Sequence, residues 1–246
     1  MMALLQTLLS LRRQGTQSIR FHGQDVPIEL PAGYIGFSPY FDVTRSMPSV
    51  FANKALDYIP PPPESPEIKY YPIPIGRDHA WPSTPPRGDV YMNANCILHP
   101  LVSPLAAPKE IWQGAPPVFI AVGEEALTDE TCIMGRRMHQ VGVPVSVEQF
   151  EGAPHCYPLL NLSSPISIRT FGSVAAFVHD VFAGRSPATG CITSFRNLMR
   201  TIKPIPLEKA EVLDDTTVSE RLHNSYLQRM EVEDQLLSSF AEKAKL

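Results

Sequence analysis

Cysteine is scarce in this chain of 246 residues: Cys96, Cys132, Cys156 and Cys191 show neither paired spacing nor the spacing of metal ligands. That excludes a disulfide-stapled secreted scaffold and predicts free thiols in a reducing compartment, hence a cytoplasmic protein with no metal and no cofactor. Charge of one sign is scarce too. With 21 basic against 25 acidic residues and a net charge of −4, nothing calls for nucleic acid or an anionic membrane as a partner. Long apolar runs are missing, so no membrane span is expected. The segment 1–13, MMALLQTLLSLRR, is too short to cross a bilayer, carries its arginines after the apolar run, and lacks a small-residue cleavage site. Its leucines at 4, 5, 8, 9 and 11 suit a buried amphipathic helix instead.

What is present is a hydrophobic content of 43%, enough for a sizeable core in one large α/β domain or two small ones. The 26 prolines are about twice the usual share. The most informative stretch is Pro116 to Leu160. Val118 to Val122 (VFIAV) is a short continuous apolar run rich in β-branched residues, the pattern of a strand buried on both faces of a parallel sheet. Gly123 ends it. Thr128 has the chemistry of a helix N-cap, with Asp129 and Glu130 in the first turn, and Ile133, Met134, Met138 and Val141 supply an apolar face up to Gly142. Val143 to Phe150 returns as a second strand. A β-α-β unit makes these two strands parallel neighbours.

Functional groups in such sheets gather beyond the carboxyl ends of the strands. The loop after the first strand holds Glu124 and Glu125, and the loop after the second holds His155. An acid and a histidine are therefore expected at one sheet edge. The residues alone leave open the plainer reading, in which His155, one of seven histidines, is a solvated side chain.

GAPPVFIAVGEEALTDE followed by GVPVSVEQFEGAPHCY resembles the C-terminal half of the α/β-hydrolase fold-3 esterases, the hormone-sensitive-lipase-like group. The pattern there runs strand, G-x-D-P-L-x-D-E, helix, G-V-x-V, strand, G-x-x-H-G-F. The resemblance implies that Glu125 is the acid and His155 the base of a serine-hydrolase triad, 30 residues apart. Glu stands here for Asp, and His-Cys-Tyr for His-Gly-Phe. It also implies that the first helix is the one that follows the nucleophile elbow. No G-x-S-x-G occurs in the sequence, so the nucleophilic serine is absent and would precede residue 1 in a longer chain. Gly36-Phe37-Ser38-Pro39-Tyr40 imitates the elbow, but Pro39 stands where a helix should begin. Phe21-His22-Gly23-Gln24 imitates the oxyanion loop and reads as a simple turn. Cys156 is not expected to replace the serine, because a residue adjacent to the base cannot readily aim its sulfur at that ring.

The remaining segments follow from local chemistry. Ala32 to Phe37 predicts a strand, and the SPYFDVT segment after it resembles the family's S-P-W-x-D-x-T; Asp42 reads as a loop-ordering Asx residue. Residues 53–98 form a proline-rich excursion, with Pro60 to Pro63 extended as polyproline II. It is either a ligand for an SH3-type groove or, in the reading preferred, a rigid cover over the mouth of the site. His99 precedes a strand and is assigned no role. Phe171 to Phe182 predicts a last helix with His179 exposed. Residues 185–218 read as a loose connector and 219–246 as an amphipathic helix with a stripe of Leu222, Tyr226, Met230, Leu237 and Phe240.

The expected architecture is α/β: about three parallel strands with flanking helices over 1–184, the C-terminal half of an α/β-hydrolase, plus a helical extension. The expected function is that of a carboxylic-ester hydrolase acting on a small-molecule ester, in a truncated chain retaining only the acid and base. The alternative is a non-catalytic remnant that binds a partner through the C-terminal helix or the exposed sheet edge, since a sixth strand without the fifth leaves an unpaired edge.

Overall fold

The computed structural model describes residues 2–59, 79, 92–185, 187, 189–197 and 199–243. In chain order the elements are α1 (Met2–Arg13), β1 (Ser18–Phe21), β2 (Gln24–Pro27), β3 (Tyr34–Phe37), α2 (Ser49–Ala52), β4 (Val118–Gly123), α3 (Thr128–Gln140), β5 (Val145–Phe150), α4 (Tyr157–Leu160), α5 (Pro165–Phe182), β6 (Cys191–Arg196), β7 (Thr201–Pro206) and α6 (Asp215–Lys243). The proline run 60–63 and the prolines at 66, 72, 74, 82, 85 and 86 lie outside the described residues.

One five-stranded sheet runs in the order β3-β4-β5-β6-β7. The first four strands are parallel and β7 pairs antiparallel with β6. The β4–α3–β5 unit matches the expected β-α-β unit, with Val118 opposite Val145 and Gly123 opposite Phe150. β4 is buried along its whole length, and its alternation explains why. Val118, Ile120 and Val122 join Val145, Val147 and Ile192 in a core with α1, α3 and α6. Phe119 and Ala121 turn to the other face, where Phe150, Phe177 of α5 and Phe195 close a second core. Both faces are thus covered, the condition under which a continuous apolar strand is stable.

α1 buries Met2, Leu5, Gln6 and Leu9 as an amphipathic helix should. Gly142 ends α3 in the left-handed region at φ 83°, where Gly142 N–H and Val143 N–H return to the carbonyls of His139 and Met138. His22 and Gly23, both at positive φ, form the two-residue turn of the exposed β1–β2 hairpin, so the imitation of an oxyanion loop is a hairpin turn.

Two expectations need correction. The segment 185–218 is not merely a connector: it supplies β6 and β7, and the sheet has four parallel strands with an antiparallel edge where about three parallel strands were expected. β7 (TIKPIP) holds two prolines, which an edge strand tolerates because its outer N–H groups have no partner to lose. Thr128 does not cap α3 as expected. It is the first helical residue, and its hydroxyl turns back into the preceding loop, accepting from Glu125 N–H at 2.9 Å and donating to a carbonyl of that loop, Glu125 at 2.8 Å or Gly123 at 3.0 Å.

α6 begins at Asp215 and packs back on the body of the protein. Val218 and Leu222 enter the main core, and Tyr226 packs against Val43, Met92 and Ile97. The side chain of Phe240 lies outside the described set. Arg136 and Arg137 of α3 hold the start of α6 through Asp215, at 3.3 and 2.8 Å. Among the described residues no helix is long and apolar enough to cross a membrane.

Candidate active site

The carboxyl ends of β3, β4 and β5 lie side by side, and the residues just past them are Ser38, the Glu124–Glu125 pair and the loop to His155. The sheet brings the two sequence-predicted residues together. His155 Nδ1 lies 2.7 Å from Glu125 Oε2, with Glu125 fully buried and the histidine side chain 20% exposed. Oε1 of the same carboxylate accepts from Gly123 N–H at 3.2 Å and from the hydroxyl of Ser38. Every oxygen of this buried carboxylate is therefore satisfied, as a buried charge requires.

The two loops are braced against each other. Glu124 accepts from Gly152 N–H at 2.9 Å, tying the acid loop to the histidine loop. Gly123 leaves no room between them: a Cβ there would lie 2.0 Å from the carbonyl oxygen of Ala153. The acid loop is also fastened from its far side. Asn53 donates to the Glu125 carbonyl at 2.8 Å, and Asp57 accepts from Ala126 N–H at 2.8 Å.

Two acids in the first turn of α3 extend that bracing. Asp129 accepts from Ser49 N–H at 2.8 Å, while Glu130 accepts from the N–H groups of Phe41 and Asp42 at 2.5 and 3.1 Å. Burial, with the charge of Asp42 beside it, pushes the Glu130 carboxyl well above the usual carboxylate range, against the lowering effect of those two N–H bonds. Asp42 itself serves its own loop, accepting from the N–H and hydroxyl groups of Thr44 and Ser46. α6 holds the outside of that loop: Arg229, Ser225 and Arg221 donate to the carbonyls of Val43, Thr44 and Ser46 at 2.6, 3.1 and 3.4 Å. The spacing of four residues along α6 is the signal that could have revealed this ladder.

His155 is basic. Partial burial opposes its charge, but hydrogen bonds with Cys156 and Glu125 and the negative charge beside the ring outweigh it, and the imidazole is pushed up to about 10. The Cys156 sulfur lies 3.6 Å from the carbonyl of Phe37. Tyr58 stands edge-on to the imidazole, ring centres 5.9 Å apart. His99 is exposed with its Nδ1 facing Leu101 N–H at 3.2 Å, and the His179 side chain is 75% exposed, so neither belongs to the site.

Ser38 is the residue that sequence reasoning set aside. It does not sit on an elbow before a helix. It ends β3 at φ 44°, almost fully buried, with its hydroxyl on Glu125.

Comparison with known proteins bears on the same stretch. The family described as alpha/beta hydrolase fold matches residues 83–159. No curated protein matches the chain significantly. Among solved structures, EstE5 soaked with p-nitrophenyl butyrate superposes with a TM-score of 0.51 at 23% identity, over 73% of this chain and 49% of that one. A hormone-sensitive lipase from a metagenome library superposes with a TM-score of 0.50 at 19% identity, over 72% and 50%. The chain spans about half the length of the solved structures it matches. The sheet order, the placement of Glu125 and His155 past adjacent strands and these superpositions agree: the chain has the α/β-hydrolase fold, represented by the C-terminal half of its sheet.

Proposed function

We propose that Glu125 and His155 are the acid and base of a serine-type carboxylic-ester hydrolase, with the nucleophile supplied by a segment outside these 246 residues. The observation that carries this reading is the 2.7 Å contact between His155 Nδ1 and the fully buried Glu125, at the carboxyl edge of parallel strands. With Nδ1 committed to the carboxylate, Nε2 is the nitrogen free to take a proton from a serine hydroxyl and return it to the leaving alcohol. Glu125 holds the ring in that tautomer and stabilises its cation.

One feature of the ring sets a condition on catalysis. Its partners favour the cation, whereas a general base must be neutral before it takes a proton. Covering the exposed fifth of the side chain with a nucleophile-bearing segment would desolvate the cation and bring the ring back towards the working range. The absence of any G-x-S-x-G favours a second reading of the 246 residues taken alone: a non-catalytic α/β-hydrolase module that binds a partner.

Hydrolysis of p-nitrophenyl acetate separates these readings. The 246-residue chain should show no turnover above buffer. A protein extended by in-frame coding sequence upstream of Met1, containing a strand and G-x-S-x-G, should hydrolyse the ester and lose about 10⁶-fold in kcat on His155→Ala. An extended protein indifferent to His155→Ala, or an upstream sequence without that motif, overturns the hydrolase reading. Turnover by the short chain that vanishes in both His155→Ala and Cys156→Ala would make Cys156 the nucleophile instead.

A further inference from the structure

The geometry points to Ser38 as a positioning residue, one hydroxyl that sets the rotamer of Glu125 and fixes the loop carrying His155. The inference rests on the acid–base reading of that pair and adds a third strand end to it.

Three observations converge on this side chain. First, its backbone is strained. Ser38 stands at φ 44°, in the left-handed region that residues with a Cβ rarely adopt, yet its N–H still closes the β3–β4 ladder on Ala121 O at 2.8 Å. Strain of this kind persists where surrounding structure enforces it, and it clusters at functional sites. Second, its hydroxyl does two jobs. Ser38 Oγ donates to Glu125 Oε1 and accepts from Cys156 N–H at 2.9 Å. Third, the recipient of that second bond is strained as well: Cys156 has φ 51°, so two left-handed residues on different loops meet at one hydrogen bond.

The consequence for Glu125 is geometric. Ser38 and Gly123 N–H both hold Oε1, which leaves Oε2 aimed at His155 Nδ1. Without the hydroxyl, Oε1 would keep only the 3.2 Å bond from Gly123, and the carboxylate could rotate about its last bond. The Cys156 N–H would lose its acceptor at the same time, one residue from His155. The orienting role therefore needs a small side chain that both donates and accepts, which serine supplies and alanine or glycine does not.

The test is an NMR titration of His155 in the 246-residue chain, with folding of each variant checked by amide dispersion. Ser38→Ala removes the hydroxyl and keeps the strain. Ser38→Gly removes the hydroxyl and relieves the strain, so it remains interpretable where alanine fails to fold. Both should weaken the deshielded Nδ1 proton resonance and lower the His155 titration by about one pH unit or more towards the ordinary imidazole value. Glu125→Gln tests the pair itself. If Glu125→Gln leaves the titration where it was, the acid–base reading fails. If Glu125→Gln lowers it while folded Ser38→Ala and Ser38→Gly do not, the pair stands and the assignment of Ser38 is overturned.

Discussion

Substituting alanine for Gly123 tests the packing of the two loops directly. An ideal Cβ at this position would lie 2.0 Å from the carbonyl oxygen of Ala153, 2.7 Å from its carbonyl carbon and 3.0 Å from the carbonyl oxygen of Pro154. These are backbone atoms, so no side chain can swing away. Ordinary contact begins near 3.4 Å, and only displacement of the loop Gly152–His155 away from β4 restores it. Overpacking of this kind costs about 1–3 kcal/mol. Pulling His155 off Glu125 forfeits a charge-assisted hydrogen bond worth about 1.5–3 kcal/mol. The expected loss is about 2.5–6 kcal/mol, against a total stability of about 5–15 kcal/mol for an ordinary domain. Urea unfolding of Gly123→Ala should show a lower midpoint, with the slope unchanged, together with loss of the His155 Nδ1 proton resonance. Gly142→Ala is the control. It also strains the chain, at φ 83°, but its Cβ meets open space, so it should cost about 1 kcal/mol and leave His155 untouched. A Gly123→Ala protein with a wild-type midpoint and an intact resonance would refute the close approach and the reasoning built on it.

Three further outcomes are expected. Partners lift His155 from 6.5 to about 10 in the folded chain despite its partial burial. The contribution of that pair to stability is therefore full below about pH 6.5 and lost as the pH rises through about 10; urea midpoints measured across that window should fall, and His155→Asn should remove that part of the fall. Arg229, 4% exposed, donates to Val43 O at 2.6 Å, and Arg229→Met, which keeps much of the apolar stem, should cost about 2 kcal/mol in urea unfolding. Burial, with the charge of Asp129 added, pushes the Cys132 thiol up to about 12. Iodoacetamide should thus modify the exposed Cys96 in the native protein and reach Cys132 only in urea, read by peptide mass spectrometry.

Glu125 and His155 are legible in the sequence because their signal is carried by the elements around them. An apolar run buried on both faces, a helix and a second strand leave little choice about which edge the two loops share. β6 and β7 are not legible in the same way. CITSFR has only Ile192 and Phe195 as strong apolar markers, one for each core, and TIKPIP is punctuated by prolines that mimic a loop. Both strands exist because β5 offers β6 a parallel edge, and that edge appears only after the sheet is assembled.

Ser38 shows a different limit. Judged against the elbow pattern it fails, because Pro39 prevents a helix from starting there. The feature that gives it meaning is a left-handed φ at the end of β3, set by the partners of the folded chain and not by its neighbours in sequence. The same holds for the acids behind it. Asp129 and Glu130 read as favourable charges at a helix start, and in the structure they also hold Ser49 and the Phe41–Asp42 backbone. That loop is held from outside by three side chains of α6. The path from the C-terminal helix to Glu125 is thus continuous in hydrogen bonds: α6 to the loop after β3, that loop to the first turn of α3, and α2 with its following turn to the acid's own backbone. A chain in which α6 served only to attract a partner would have no need of that ladder; its presence makes the helix part of what keeps the acid in place.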